Sequence, residues 1–404
     1  MENIDILVVV LSRIHMTGLG VVRSLGEEGY TVDVVASTKT KGDSYFLSLS
    51  RYIRNYEEVI SGKLDKDEDA RLVEKLMEYE GAPFEKIVLF PTDDYSASFI
   101  DTYRDTLEKV FLMPYMKDGE SGTLIARMDK TYQSGIAGEA GLLVPDEWVI
   151  DLRNDIVIPE DIKYPVFVKP LQSISGYKTE MKRCDNQEEL MAKLTRMQEL
   201  FRDREVLCQE FLDIEKEYDL SGVCIDQKII IPAVIEKTHV AQFERGVTMA
   251  GRVVDKDVLK DIMPEIEEMM KKFRYVGMFD MEFNVCGGRI LFNEVNLRTG
   301  GPHFSYFLSG TNLPDVVVKV LTGREYDKDD ETVDVLGKSF IYEKIAWEDY
   351  YHGYMSRKEL KKTIDAADFT LLGYDRDPKP GNYYIRKIMK HTFKHKIKRK
   401  LGLK

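Results

Sequence analysis

The residues best suited to chemistry lie on two predicted strands between residues 277 and 302. Apolar residues on the first strand alternate with Asp280 and Glu282, and the second strand contributes Glu294 and Asn296. Glu282, Glu294 and the amide oxygen of Asn296, if they lie on one face, form a set of hard oxygen donors. Such a set suits Mg²⁺ bound to nucleotide phosphates. The alternative is a half-exposed hairpin whose acidic face meets water.

The turn between these strands decides whether Glu282 and Glu294 share a face. Because their separation in sequence is even, they lie together only when the hairpin loop has an odd number of residues. A three-residue loop over 286–288 with a bulge meets this condition, whereas a two-residue turn does not. Arg298 follows with the same periodicity and is placed to stabilise a developing negative charge.

A lysine and a loop of small residues upstream are suited to phosphate. The apolar segment 164–168 leads into Lys169, and the loop that follows contains Ser173, Ser175 and Gly176. Successive backbone N–H groups in such a loop can surround phosphate oxygens, with the lysine as a point charge. The alternative is a strand-ending lysine followed by a flexible hairpin turn.

The segment 208–212 runs from a predicted strand into an acidic stretch that includes Asp213, Glu215 and Glu217. Such an arrangement could offer backbone groups to an adenine and a carboxylate to ribose hydroxyls. Taken alone, this signal has low specificity.

The first third of the chain alternates predicted strands and helices. Residues 4–11 are an apolar run interrupted only by Asp5, which is typical of a strand buried on both faces. This order predicts a small domain with a parallel sheet. The loop after the first strand supplies Gly18 and Gly20, but Arg23 stands where the third glycine of a dinucleotide-binding loop belongs, which argues against a nicotinamide or flavin site.

Strands become frequent after a helix predicted from Asp129 to about Ala140, which Gly141 ends. The predicted strands are 166–169, 179–183, 206–211, 218–225 and 228–236, and the predicted helices between them are 187–201 and 255–274.

Composition excludes several classes of protein. The 404 residues suggest two or three domains, and 43% hydrophobic with 32% charged residues is an ordinary globular mixture. The net charge of −12 argues against a general nucleic-acid binder. The four cysteines form no CxxC pair, which predicts neither a zinc site nor a disulfide framework and fits a reducing compartment. The apolar run 6–11 is too short to span a membrane and no basic segment precedes it, so we expect a cytoplasmic enzyme.

In their order along the chain, these segments resemble the ATP-grasp superfamily. The resemblance covers roughly 129–302 and is most specific in the Glu-x-Asn-x-Arg segment 294–298. Carboxylate–amine ligases of the D-aspartate ligase type are particularly similar, because they share a leading segment that corresponds here to 18–26.

The resemblance implies a mixed α/β and α+β architecture: an ATP-grasp fold with an N-terminal Rossmann-like domain before it. The implied divisions are a Rossmann-like domain over 1–118, an ATP-grasp domain over 119–325 with a lid at 164–212 and a catalytic lobe at 213–325, and a C-terminal extension with a basic tail over 326–404.

The resemblance also implies site roles. Residues that would contact ATP are Lys130, Lys169, Ser173, Ser175, Gly176, Glu210, Phe211, Leu212 and Glu217. Glu282, Glu294 and Asn296 would hold one or two Mg²⁺ or Mn²⁺ ions. The catalytic cations would be Lys169 and Arg298. Lys237 lies near the place where relatives often have another phosphate-side cation, Asp280 has no assigned duty, and His303 is expected to be a turn residue rather than a catalyst.

The implied reaction is ATP-dependent ligation of a carboxylate to an amine through an acyl phosphate, with cell-wall or surface-polysaccharide precursors as family precedents. Two alternatives are an ATP-grasp enzyme with a different acceptor and a nucleotide-binding regulator without turnover. The expected partners are small-molecule or cell-envelope acids and amines, no nucleic acid, and a second copy of the chain as a homodimer.

The C-terminal segment 386–404 carries nine Lys and Arg residues and no acid. Ile385, Met389, Phe393, Ile397 and Leu401 recur at every fourth position, which predicts a basic amphipathic helix. Such a helix is typical of peripheral contact with an anionic membrane, here at its inner face. The alternatives are a helix docked on the protein's own acidic body and a nucleic-acid contact.

Overall fold

The computed structural model describes the backbone of residues 5–13, 15–60, 66–170, 182–200, 205–244 and 246–400, with the side chains of 66–68, 170 and 391–400 left undescribed. The strands are β1 (Ile6–Ser12), β2 (Thr31–Thr38), β3 (Ile53–Ile60), β4 (Lys86–Pro91), β5 (Tyr115–Met116), β6 (Glu147–Asp151), β7 (Val166–Pro170), β8 (Lys182–Cys184), β9 (Glu205–Glu210), β10 (Lys216–Ile225), β11 (Lys228–Ile230), β12 (Val234–Val240), β13 (Thr248–Val254), β14 (Tyr275–Cys286), β15 (Arg289–Asn296), β16 (Ser339–Ile341) and β17 (Phe369–Thr370).

The α-helices are α1 (His15–Glu27), α2 (Lys66–Met77), α3 (Asp94–Thr102), α4 (Arg104–Leu107), α5 (Thr123–Arg127), α6 (Lys130–Ala140), α7 (Gln187–Leu200), α8 (Met263–Phe273), α9 (Phe304–Leu308), α10 (Leu313–Leu321), α11 (Glu343–His352), α12 (Arg357–Asp365) and α13 (Pro378–Lys400). Short 3₁₀ helices span Leu47–Leu49, Lys256–Ile262 and Lys328–Glu331.

The N-terminal strands form a parallel sheet in the order β3-β2-β1-β4. Every residue of β1 is buried, as its continuous apolar run predicts for a strand covered on both faces. The predicted parallel sheet is therefore confirmed. Since the strands are parallel, the turns after β1 and β4 meet at one edge of the sheet, and this edge faces the candidate site.

Arg23, which stands in place of a glycine in the predicted dinucleotide loop, has a structural role. Its guanidinium is fully buried, is 3.1 Å from the carboxylate of Asp377 and donates to the carbonyls of Leu371, Leu372 and Asp377. Burial lowers the pKa of Arg23, and the charge of Asp377 opposes that change. Arg23 therefore connects α1 to the segment 371–377 by hydrogen bonds and an ion pair.

A small antiparallel sheet has the order β6-β9-β7-β8, and α7 packs on it. The lid predicted to begin at 164 starts after β6, yet β6 pairs with β9 along its whole length. The sheet therefore includes residues that precede the predicted boundary.

The central sheet runs β15-β14-β10-β12-β13-β16-β17, with β11 and β5 paired to β10 and β14. Helices α6 and α8 cover one face, and α10 lies between the other face and α1. The predicted helix 255–274 is divided into a 3₁₀ segment and α8, whose second residue, Pro264, has no N–H to continue the first segment. The helix predicted after Asp129 is α6, capped by that aspartate and ended by Gly141 in the left-handed conformation.

The C-terminal extension completes this sheet. β16 pairs with β13 and β17 pairs with β16, because buried Phe340 and Ile341 continue the sheet's core. α13 follows and packs against α11 and the 3₁₀ turn at 47–49. Tyr384 packs edge-on against Phe46, whereas Met389 is 49% exposed. The side chains from residue 391 onward lie outside the described residues. Among the described helices, none is long and apolar enough to cross a membrane.

Candidate functional site

The hairpin β14–β15 brings Glu282 and Glu294 to the same face by a route that differs from the predicted one. Gly287 and Gly288 form a two-residue turn with φ values of +57° and +71°, the left-handed conformation that glycine adopts at low cost. The predicted three-residue loop is therefore wrong. The odd residue is Asn293, which forms a bulge, because the register shifts between the Glu282–Glu294 and Phe283–Phe292 pairs.

Two lysines neutralise these carboxylates. The Nζ of Lys130, at the start of α6, forms an ion pair with Glu294. The Nζ of Lys237, on β12, is 2.7 Å from Glu282 and 3.6 Å from Glu217. Burial acts to lower the pKa of Lys237, but the carboxylates around it raise the pKa well above its ordinary value. Lys237 is therefore a fixed cation next to the hairpin face.

A buried acidic pair lies beneath this face. Asp219 on β10 is opposite Glu282, and Asp280 on β14 is opposite Asn296. Carboxylate oxygens of Asp219, Asp280 and Glu282 lie within 4.8 Å of one another, and the hydroxyl of Ser221 donates to Asp280 at 2.9 Å. Burial raises the pKa of both Asp219 and Asp280. Asp280 thus belongs to the acidic layer that supports the metal-type ligands.

Arg298 joins the hairpin to the N-terminal domain. Its Nε donates to Asp94 at 2.8 Å, its Nη1 donates to the carbonyl of Thr299 at 3.1 Å, and Asp280 lies 3.6 Å from Nη1. Asp94 begins α3, directly after β4. Burial acts to lower the pKa of Arg298, but Asp94 and Asp280 raise it. The guanidinium is therefore held as a cation by groups from two domains.

Lys169, at the end of β7, faces the same region from the small sheet. Its Nζ donates to the side-chain oxygen of Gln209 at 2.9 Å, and Gln209 in turn donates to Glu147 at 2.5 Å. Burial, followed by the charge of Lys130, lowers the pKa of Lys169 to about 8. A buried lysine with a lowered pKa beside a second lysine is suited to receive an anion such as phosphate.

The segment predicted to contact adenine lies at the end of β9. The N–H of Glu210 donates to the carbonyl of Asp146 at 2.8 Å, and the N–H of Phe211 donates to the carbonyl of Pro165 at 3.0 Å. Leu212 follows and is buried. These bonds fix the path of the chain at the edge of the small sheet. The predicted phosphate loop, with Ser173, Ser175 and Gly176, lies outside the described residues.

The structure thus brings seven of the predicted residues toward one region between the small sheet, the central sheet and the N-terminal domain: Lys130, Lys169, Glu217, Glu282, Glu294, Asn296 and Arg298. Sequence reasoning missed Asp94, Asp219 and Gln209 as members of this network. Two of them follow from patterns that were available: Asp94 follows a parallel strand, and Asp219 is two residues from Glu217 on the same strand. Gln209 carries no such signal.

His303 lies behind the site and is buried against α1. Its Nδ1 is 2.9 Å from the carbonyl of Gly300, and a Cβ at Gly20 would come within 2.7 Å of the ring. Burial lowers the pKa of His303 to about 4. This geometry fits the expected role as a turn residue.

Comparison with known proteins identifies the domain that carries this site. The model of the ATP-grasp domain matches residues 136–305. The chain therefore contains an ATP-grasp domain, and its fold is the ATP-grasp fold.

Curated relatives match just under half of the chain. The C-terminal section of the carbamoyl phosphate synthase large chain of Methanocaldococcus jannaschii is 22% identical over 194 residues, which is 47% of this chain and 30% of that protein. The corresponding section from Aquifex aeolicus is 26% identical over 193 residues, or 46% of this chain and 35% of that protein. The matches thus span about a third of these relatives' length.

Solved structures match more of the chain. The L-amino acid ligase from Bacillus licheniformis has a TM-score of 0.60 at 14% identity, covering 84% of this chain and 79% of that one. The biotin carboxylase domain of Hydrogenobacter thermophilus 2-oxoglutarate carboxylase, in complex with MgADP and bicarbonate, has a TM-score of 0.63 at 16% identity, covering 82% and 73%. These likenesses establish the fold.

Proposed function

We propose that this protein is an ATP-dependent ligase that joins a carboxylate to an amine through an acyl-phosphate intermediate. One observation carries the proposal: Lys130 and Lys237 pair with Glu294 and Glu282 on the hairpin face whose strand also carries Asn296. The ATP-grasp match and the likeness to an L-amino acid ligase support it.

Glu282, Glu294 and Asn296 are the residues that would hold one or two Mg²⁺ or Mn²⁺ ions. All three offer oxygen donors, and the bulge at Asn293 places the two glutamates side by side, so the donor set fits a hard divalent cation. When bound, such an ion would neutralise the phosphate oxygens of ATP.

The lysines would hold the phosphates. Lys169 would bind the α- and β-phosphates and Lys130 would lie beside them, since the charge of Lys130 already acts on Lys169. Ser173, Ser175 and Gly176 would complete the phosphate site.

The remaining nucleotide contacts would come from the end of β9 and from β10. Glu210, with the main chain of Phe211 and Leu212, would face the adenine. Glu217 would accept hydrogen bonds from the ribose hydroxyls. These would replace its present ion pair with Lys237.

Arg298 would steady the phosphoryl group during transfer. The charge on that group spreads over its equatorial oxygens, so fixed cations lower the barrier chiefly by position and electrostatics. Asp94 and the carbonyl of Thr299 orient the guanidinium before the reaction begins. An acyl phosphate hydrolyses readily, which requires the small sheet and its loop to exclude water during the second step.

The test is a coupled assay of ADP release by the purified protein with Mg²⁺ and ATP, against panels of amino acids and sugar acids offered singly and in pairs. A ligase releases ADP only when both a suitable acid and an amine are present. Release with an acid alone at full rate indicates another acceptor, and ATP binding without release for any pair indicates a regulator.

The finer assignments are also proposals. Cell-wall or surface-polysaccharide precursors would supply the acid or the amine, and the tail 386–404 would bring the enzyme to the inner face of the membrane. A cytoplasmic location is supported by four unpaired cysteines. A homodimer is supported by the frequency of two-fold assemblies.

We also retain the proposed domain division, with the Rossmann-like domain over 1–118 and the ATP-grasp domain over 119–325. Two observations bear on its limits. The small sheet includes β6, and β16 and β17 place part of 326–404 in the central sheet.

A further inference from the structure

The strand that carries two of the proposed metal ligands lies at the edge of its sheet. Among the described strands, β15 is the last of the central sheet, so it pairs with β14 on one side only. Glu294 and Asn296 lie on either side of Val295, and the bulge at Asn293 interrupts the pairing with β14 directly before them. The ladder with β14 therefore holds this stretch less firmly than an uninterrupted ladder would.

The side chain of Gln133, on α6, takes the place of a neighbouring strand at Val295. Its Oε1 accepts from the backbone N–H of Val295 at 3.1 Å, and its Nε2 donates to the carbonyl of the same residue at 2.6 Å. Nε2 also donates to the carbonyl of Arg127 at 3.2 Å, in the turn before α6. The orientation of the amide is set by these partners, because Val295 offers one donor and one acceptor.

These two bonds fix the peptide planes between the metal-type ligands. The N–H of Val295 belongs to the peptide that joins it to Glu294, and its carbonyl belongs to the peptide that joins it to Asn296. The orientation of a peptide plane sets the ψ angle before it and the φ angle after it, and these are the soft dihedrals of the chain. Gln133 therefore holds the piece of backbone from which both ligand side chains project.

A second contact from the same helix holds one of the ligand side chains. Lys130 lies three residues before Gln133, so the two side chains share a face of α6, and Lys130 forms the ion pair with Glu294. The start of the helix is itself fixed by the cap at Asp129, and the helix packs against α8. One helix thus holds the hairpin through its backbone and through a carboxylate.

The burial of Gln133 argues against a role in packing alone. Gln133 and Ala137 are the buried residues of α6, and Ala137 belongs to the apolar core between this helix and the central sheet. Burying an amide has a desolvation cost that its hydrogen bonds must offset, whereas an apolar side chain fills such a position without that cost. The position of Gln133 therefore indicates that its bonds to Val295 matter.

We propose that Gln133 is a positioning residue, which holds Glu294 and Asn296 in the geometry that binds the divalent cation. The inference rests on the proposed function, which assigns these two residues to the metal. Gln133 acts through the backbone of Val295 and not by contact with the ion. Its loss should therefore weaken the binding of the metal and leave the metal-independent contacts of the nucleotide unchanged.

The test is isothermal titration calorimetry of the full-length protein with ADP, in EDTA and in Mn²⁺. In the parent, Mn²⁺ should increase the affinity for ADP. Gln133→Met retains a similar side-chain volume but offers no donor, and it should lose about tenfold of that gain, which is the effect expected when a group that orients metal ligands is removed. The affinity for ADP in EDTA should equal that of the parent.

A second variant and a matched control keep the result interpretable. Gln133→Ala leaves room for a water that can bond to Val295 without tying it to α6, so it decides the question if Gln133→Met fails to fold. Asn312 is the control, because its buried amide also makes three hydrogen bonds, to Ser24, Glu28 and the N–H of Asp315, far along the chain from the hairpin. Asn312→Ala should lower the melting temperature and retain the whole gain from Mn²⁺.

The outcomes separate this inference from the proposed function. A parent whose affinity for ADP does not change with Mn²⁺ refutes the metal assignment, and the role of Gln133 is refuted with it. A gain in the folded Gln133 variants equal to that of the parent overturns the positioning role alone. An equal loss of the gain in Asn312→Ala, or an equal loss of ADP affinity in EDTA and in Mn²⁺ for the Gln133 variants, also overturns it.

Discussion

The contact between Asp94 and Arg298 is the structural link between the N-terminal domain and the hairpin, and it makes a specific kinetic prediction. Their side chains are 20% and 14% exposed, and Nε donates to Oδ1 at 2.8 Å. Asp94→Asn keeps an acceptor at that atom but removes the charge. Asp94→Ala removes both, which leaves Arg298 free to turn away from the transferred phosphoryl group.

The size of each effect follows from the kind of hydrogen bond that is lost. A charge-assisted bond contributes about 1.5–3 kcal/mol and a neutral one about 0.5–1.5 kcal/mol. Because the pair is partly exposed, the lower parts of these ranges apply. Asp94→Asn should therefore cost about 1 kcal/mol in transition-state stabilisation, or about fivefold in kcat, and Asp94→Ala about 2 kcal/mol, or about thirtyfold.

The assay is ADP release with the acid and amine pair found in the substrate screen, and both variants should retain the KM for ATP. Asp33→Asn provides the control, since Asp33 forms a comparable pair with Arg54 at 2.7 Å, elsewhere in the same domain. It should lower the melting temperature without lowering kcat. If Asp94→Ala retained the parental kcat, or if Asp33→Asn lost as much kcat, Arg298 would not depend on Asp94 for its position.

Three further predictions concern the metal ligands, Lys169 and the tail. Glu294→Gln and Asn296→Ala should each abolish turnover without lowering the melting temperature, and either variant that kept activity would contradict the metal assignment. Nucleotide affinity measured by calorimetry should fall as the pH rises through about 8, because Lys169 loses its charge there, and Lys169→Arg should remove this dependence. An affinity that is flat from pH 7 to 9 in the parent would refute the phosphate role. Truncation after residue 390 removes six basic residues, each contributing about 1 kcal/mol near an anionic surface, and should abolish salt-sensitive sedimentation with anionic vesicles. Equal sedimentation of the truncated and full-length proteins would show that the tail does not bind the membrane.

Much of the fold and of the hairpin site could be predicted from local sequence patterns. The apolar run of β1, the cap and stop of α6 and the alternation on β14 are each encoded within about ten residues. A short-range pattern of this kind needs no knowledge of the rest of the chain.

Several of the features that sequence reasoning missed depend on partners that are distant in the chain. The bulge at Asn293 depends on how β15 packs, and its sequence carries no glycine to mark it. β16 has three residues and β17 has two, and they become strands only because β13 offers an edge. Asp94 and Arg298 are 204 residues apart in sequence, so only the folded domains bring them together.

The central claim is that ATP activates a carboxylate as an acyl phosphate. It is tested most directly with the acid substrate labelled with ¹⁸O in its carboxylate, incubated with ATP, Mg²⁺ and the amine. If an acyl phosphate forms, one labelled oxygen is transferred to the phosphate released when the amine attacks, and mass spectrometry of that phosphate will detect it. Phosphate without the label, released while the amide product accumulates, would contradict the account.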